Sequence, residues 1–119
     1  MNKRIDVLTR KIERYLRKEQ LFNGEEHKKF EKQFLIKSRK NFSVANVLFK
    51  ISEQEDIRKL LALASDFEMY DWVIIISYYA MYASSLAVLA KLGFKSKSHA
   101  ATITILEHQY ISEENDKKT

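Results

Sequence analysis

A chain of 119 residues with a net charge of +5 is one domain's worth, long enough to bury a core without covalent staples. It has no Pro, no Cys and only two Gly, at 24 and 93, which excludes a disulfide framework, a thiolate metal site and a glycine-rich phosphate loop. Residues 1–50 carry 14 Lys and Arg against 6 Asp and Glu, net +8, and residues 51–119 carry 7 against 10, net −3; the basic half points to an anionic partner, nucleic acid first, or to a solvated lysine-rich face.

In chain order, Ile5, Leu8, Ile12, Tyr15 and Leu16 recur at helical spacing between Lys and Arg, which predicts an amphipathic helix over 3–21, ended by Asn23-Gly24. A second helix is expected from Glu25 to about Ile51, with Phe30, Phe34, Leu35, Phe42, Ala45, Leu48 and Phe49 as its broad apolar stripe. Ser52 with Glu55 three residues on reads as a capping box for a third helix that carries Ile57, Leu60, Leu61 and Leu63 inward and ends before Asp66. Asp71 is a plausible N-cap for a long apolar helix that ends at Gly93. Ser98 caps a last helix to about Tyr110, and residues 112–119 are expected to fray. The predicted fold is all-α, an antiparallel up-and-down bundle of four to five helices.

The long helix holds nineteen consecutive uncharged residues, Trp72 to Ala90, close to the roughly 20 that a membrane span needs. Three tyrosines and three serines sit at its centre, where a span would leave their hydroxyls without water and would keep its aromatics for the ends. A central helix of a bundle, or one shared with a dimer partner, is the expected reading; a cytoplasmic protein without a membrane anchor follows.

The run Tyr78-Tyr79-Ala80-Met81-Tyr82, the turn Leu92-Gly93-Phe94 and the entry Lys95-Ser96-Lys97-Ser98-His99, in this order and spacing, resemble HEPN domains, small prokaryotic helical proteins often encoded beside minimal nucleotidyltransferases. The likeness covers roughly residues 34–110. It implies RNA or nucleotide biology, a homodimer, a nucleotidyltransferase-domain partner and a role in a toxin–antitoxin or defence pair. The chain departs from the family in two places. Ala83 stands where many such proteins have a His, and no Arg precedes His27, His99 or His108 at the four-to-six-residue separation of the family's ribonuclease signature. Ribonuclease activity is therefore not expected of the chain as it stands. The family also closes with further helices, so residues 25–119 are expected to form a HEPN-like bundle that is either truncated at its C-terminus or completed by the basic helical extension 1–24.

Candidate site residues are few. Lys95, Lys97, Ser98 and His99 surround a helix start, where free N–H groups and cations suit a phosphate, although Ser98 and His99 are equally explained as an ordinary cap. Tyr78, Tyr79, Tyr82 and Leu86 form an aromatic stripe suited to core or dimer packing, or to stacking on bases if it faces a cleft. No spacing of His, Glu or Asp suggests a metal, no elbow presents a nucleophilic serine, and no cofactor is expected. The alternative function is a non-enzymatic interaction subunit that uses the aromatic helix 71–93 to dock a partner.

Overall fold

The computed structural model describes residues 2–118. They form an all-α helical bundle: α1 (Lys3–Arg17), α2 (Glu31–Glu53), α3 (Glu55–Leu60), α4 (Tyr70–Lys91) and α5 (His99–Lys118), with a 3-10 turn at Glu25–Phe30 and two short strands, β1 (Leu21–Asn23) and β2 (Phe94–Ser96). The chain divides into two compact units, residues 1–33 with 85–119, and residues 34–84.

In the first unit α1 packs on α5. Asn2 starts α1, its side-chain oxygen accepting from the backbone N–H groups of Arg4 and Ile5. The apolar stripe then works as its spacing predicts: Leu8 is buried, and Ile12, Tyr15 and Leu16 pack against a core of Leu21, Leu89, Ala101 and Ile105. The helix ends at Arg17, earlier than expected, because Glu19 adopts φ 57°. The Gln20 N–H reaches the Tyr15 carbonyl at 3.0 Å and the Glu19 N–H reaches that of Leu16 at 3.3 Å, the paired bonds of a Schellman turn that glycine usually makes. A left-handed conformation costs a side-chain-bearing residue about 1–2 kcal/mol. Glu19→Gly is thus expected to raise the unfolding free energy by up to about 1 kcal/mol, after glycine's greater chain entropy is offset, and with it the urea midpoint; an unchanged or lower midpoint would contradict a left-handed turn at this position.

This early end frees Leu21–Asn23 to extend. They pair antiparallel with Phe94–Ser96 in the register Leu21 with Ser96, Phe22 with Lys95 and Asn23 with Phe94, and Leu21 is buried in the core. Neither strand is predicted by the sequence patterns. Gly24 and Gly93 act on this ribbon rather than on α1: the Gly24 N–H donates to the Gly93 carbonyl at 2.8 Å, and Gly93 follows α4 with φ 87°, a backbone that glycine adopts without strain. The residues expected to begin the second α-helix, Glu25–Phe30, form the 3-10 turn instead.

The last helix runs on to Lys118, well beyond Tyr110 and through the segment expected to fray. On its buried face stand Thr102 and Thr104, while Ile103 is exposed. Each threonine hydroxyl donates to the carbonyl four residues back, Ser98 and Ala100 respectively, so the buried oxygen has a partner and the methyl fills the core.

In the second unit α2 and the first part of α4 form an antiparallel hairpin. Ser38 meets Ala80 and Ser84 at one level, and Ser52 meets Met69 at the other. The Ser38 hydroxyl lies 2.8 Å from the Ala80 carbonyl and 2.5 Å from the Ser84 hydroxyl. A side chain as short as serine reaches another helix's backbone only where the two approach closely. Small residues make this possible: Ser38, Ala45 and Ser52 on α2 and Ala80 and Ala83 on α4 are the buried ones. Leu35, Phe42 and Phe49, expected inward, are exposed beside this seam; rings there would hold the helices apart.

Ser52 is not an N-cap but the end of that seam. Its hydroxyl donates to the Leu48 carbonyl at 2.9 Å and accepts the Met69 N–H at 2.8 Å. The short α3 starts after Gln54, which makes no side-chain cap bond. It closes on a left-handed Ala62, φ 58°, and leaves Leu60 85% exposed and Leu61 also outside. Arg58 turns back to the Ile51 and Ser52 carbonyls at 3.1 and 2.8 Å, closing the C-terminus of α2. The Glu68 carboxylate, rather than Asp71, caps α4 by accepting the Tyr70 N–H at 2.9 Å. Asp71 lies inside the first turn, where its charge suits the helix dipole.

Helix α4 is long and apolar enough to cross a membrane by length and composition, with 28% of the window buried. Its partner argues against that placement. Ser38 marks the level of Ala80, mid-way along α4, and Lys37, Arg39 and Lys40 lie within a turn of Ser38; a spanning α4 would draw these cations toward the bilayer centre, at a cost of several kcal/mol.

Candidate nucleic-acid interface

The outward face of α1 is basic by arithmetic. At 100° per residue Arg10, Arg14 and Arg17 follow one another at i, i+4 and i+7, with Lys11 beside them, while the apolar stripe occupies the other side. These four cations and Val7 line a shallow groove of about 380 Å³. Among the described residues none of the four forms an ion pair with a carboxylate. Arg14 stands over the Tyr15 ring at 5.6 Å. The three arginines span about 10 Å of helix, a row of planar donors that match phosphate geometry.

Arg4, one turn earlier, is committed elsewhere. It makes a two-pronged contact with Glu107 of α5, both bonds 2.8 Å, and so clips the start of α1 onto the last helix. This hydrogen bonding, with the charges of Arg4 and Lys11, holds the Glu107 carboxyl below its ordinary value, and the Arg4 guanidinium rises in return. His108 follows on α5, its Nε2 3.4 Å from the Thr9 hydroxyl.

The predicted phosphate site lies at the junction of β2 and α5. Lys95 pairs with Phe22 across the two-stranded ribbon, and the Lys97 ammonium stands 5.0 Å over the Phe22 ring. The Ser98 hydroxyl accepts the Ala101 N–H at 3.2 Å, its carbonyl accepts the Ser96 hydroxyl at 2.8 Å, and its own N–H donates back to Ser96 at 3.2 Å. Ser98 is therefore occupied as a cap, as the ordinary reading of this segment has it. His99 is exposed at the first position of α5.

The aromatic stripe is on the surface. Tyr78 and Tyr79 are exposed and Tyr82 half-buried; the Tyr78 and Tyr82 rings stack with centroids 6.3 Å apart and planes 9° apart, and Tyr79 meets Tyr78 edge-on at 5.7 Å. Leu86 is half-buried one turn further on. Tyr70, at the start of α4, donates its hydroxyl to the Glu53 carboxylate, which raises the phenol above its usual range. Among the described residues no group of three or more His, Cys, Asp or Glu is placed to hold a metal ion.

Sequence patterns pointed to the β2–α5 junction and read the cations of α1 only as part of a net charge. The i, i+4, i+7 spacing of Arg10, Arg14 and Arg17 was the signal for the groove. Comparison with family models, with curated proteins and with solved structures yields no match to this chain.

Proposed function

We propose that this chain is a HEPN-like, non-catalytic module that associates with nucleic acid through the basic face of α1, as one component of a cytoplasmic toxin–antitoxin or defence pair with a nucleotidyltransferase-domain partner. The observation that supports this reading is the groove of Arg10, Lys11, Arg14 and Arg17, four cations none of which forms an ion pair with a carboxylate among the described residues, Lys11 lying near enough to Glu107 to act on its charge. A basic amphipathic helix has two common uses, a lipid surface or a polyanion. Here the apolar side of α1 is spent on the core with Leu21, Leu89, Ala101 and Ile105, which removes the part that would enter lipid and leaves the charges. Lys95 and Lys97 add to the positive surface of the same unit.

The test is a fluorescence-anisotropy titration of a labelled single-stranded RNA oligonucleotide across a series of salt concentrations. If all four cations meet phosphates, the logarithm of the affinity falls against the logarithm of salt with a slope of about −2.8. Arg10→Glu with Arg14→Glu is expected to weaken binding more than tenfold at low salt and to flatten that slope. No binding at low salt, or a slope that the double variant leaves unchanged, rejects this face as the interface.

A second reading, an interaction subunit that docks a partner on helix 71–93, is favoured by the exposed apolar residues Trp72, Ile75 and Tyr79 of α4. Such docking is held by apolar burial and is expected to persist at salt concentrations that dissociate RNA.

A further inference from the structure

We propose that the nucleic acid held by α1 is double-stranded DNA, with the helix lying in the major groove. The inference rests on the nucleic-acid reading of this face and adds the form of the ligand. The cations of α1 stand in two rows rather than one. Arg10-Lys11 and Arg17-Lys18 are consecutive pairs seven residues apart. At 100° per residue the two arginines fall in one row, which Lys3 continues a heptad earlier, and the two lysines fall in a second row about 100° away around the helix. Val7 and Arg14, themselves seven residues apart, lie midway between the rows.

Packing keeps this arc on the surface. Lys3, Arg10, Arg14, Arg17 and Lys18 are exposed, Lys18 as the residue that closes the helix, and Lys11 is half-buried within range of the Glu107 charge. Val7, the one apolar residue of the arc, is 39% exposed. The arc contains no carboxylate: Asp6 and Glu13 stand outside it, next to the arginine row.

Shape separates the forms of nucleic acid that such an arc could meet. Single strands are held by aromatic rings on which bases stack. Tyr15, the one aromatic residue of α1, is half-buried against the core and carries the Arg14 guanidinium 5.6 Å from its ring centroid, so the arc offers a base no free ring. An RNA duplex has a major groove too deep and narrow for side chains to read. The major groove of B-form DNA is about 12 Å wide and fits the roughly 10–12 Å breadth of a helix with its side chains. A helix lying in that groove has a phosphate strand on either side, which is what two rows of cations require, and turns the arc between them to the base edges. Val7 stands there, suited to the methyl group of thymine, which RNA lacks.

Fluorescence anisotropy of the intact chain with one mixed sequence, prepared as a DNA duplex, an RNA duplex and a single strand, reads the result. The DNA duplex is expected to bind at least tenfold more tightly than either of the others at the same salt concentration, and dimethyl sulfate footprinting to show its guanine N7 atoms, which face the major groove, protected. Arg10→Gln with Arg17→Gln, and separately Lys11→Gln with Lys18→Gln, are each expected to flatten the salt dependence on duplex DNA by about 1.8 in slope. A single strand or RNA duplex held as tightly as the DNA duplex overturns the proposal and leaves the basic face as a nucleic-acid interface. So does guanine N7 that stays reactive in the complex, or a slope that only one of the two paired variants alters. Failure of all three forms to bind at low salt rejects the nucleic-acid reading itself.

Discussion

Leu89→Ala is expected to lower stability by about 2–5 kcal/mol, a large share of the roughly 5–15 kcal/mol that holds a domain of this size together. Leu89 is 1% exposed and lies in the cluster with Leu21, Ala101 and Ile105, which Ile12, Tyr15 and Leu16 of α1 cover from one side and Leu106 of α5 packs against. Removing its branched end takes apolar surface out of the core and leaves a cavity that rigid helices refill poorly. Urea unfolding followed by circular dichroism should show a lower midpoint with an unchanged slope. A loss below about 1 kcal/mol would mean that α1, α4 and α5 do not share a close-packed core.

The second large effect comes from adding volume. Ala80 is fully buried, and the serine hydroxyl of Ser38 lies 2.8 Å from its carbonyl, so no room exists for a branched side chain between α2 and α4. Ala80→Leu is expected to cost about 1–3 kcal/mol or more through overpacking, and to break the bonds from Ser38 to Ala80 and Ser84. Ala80→Gly is the matched comparison. It empties the position instead, and its cost is expected to stay near the 1 kcal/mol of helix propensity. Thermal melts of both variants decide the matter: Leu tolerated better than Gly would show that the two helices stand further apart than the serine bonds require.

These two variants bear on separate compact units, one held by large apolar side chains and the other by small ones. In the first, packing follows volume and burial. In the second, close approach of backbones leaves Phe42 and Phe49 outside. The basic groove of α1 and the apolar side of the hairpin are thus consequences of how each unit builds its core.

Composition and periodicity alone established the all-α class, the presence of α1, α2, α4 and α5, the apolar stripe of α1 and the cap at Ser98, because each rests on contacts within a few residues of one another. Tertiary structure decided the rest. The end of α1 depends on a left-handed Glu19 that no glycine announces, and β1 exists only because Phe94–Ser96 arrive from more than seventy residues away to pair with it. Phe42 and Phe49 look like core by their hydrophobicity, yet Ser38, Ala45 and Ser52 take the buried positions, since the choice between large and small is made by the distance to α4 and not by α2. Ser52 has the residue type and spacing of a cap but spends its hydroxyl on Leu48 and Met69. For the candidate sites the division is the same: Arg10, Arg14 and Arg17 share a face by helical geometry alone, while their forming no ion pair among the described residues, and the occupation of Ser98 by its own helix, are facts of packing.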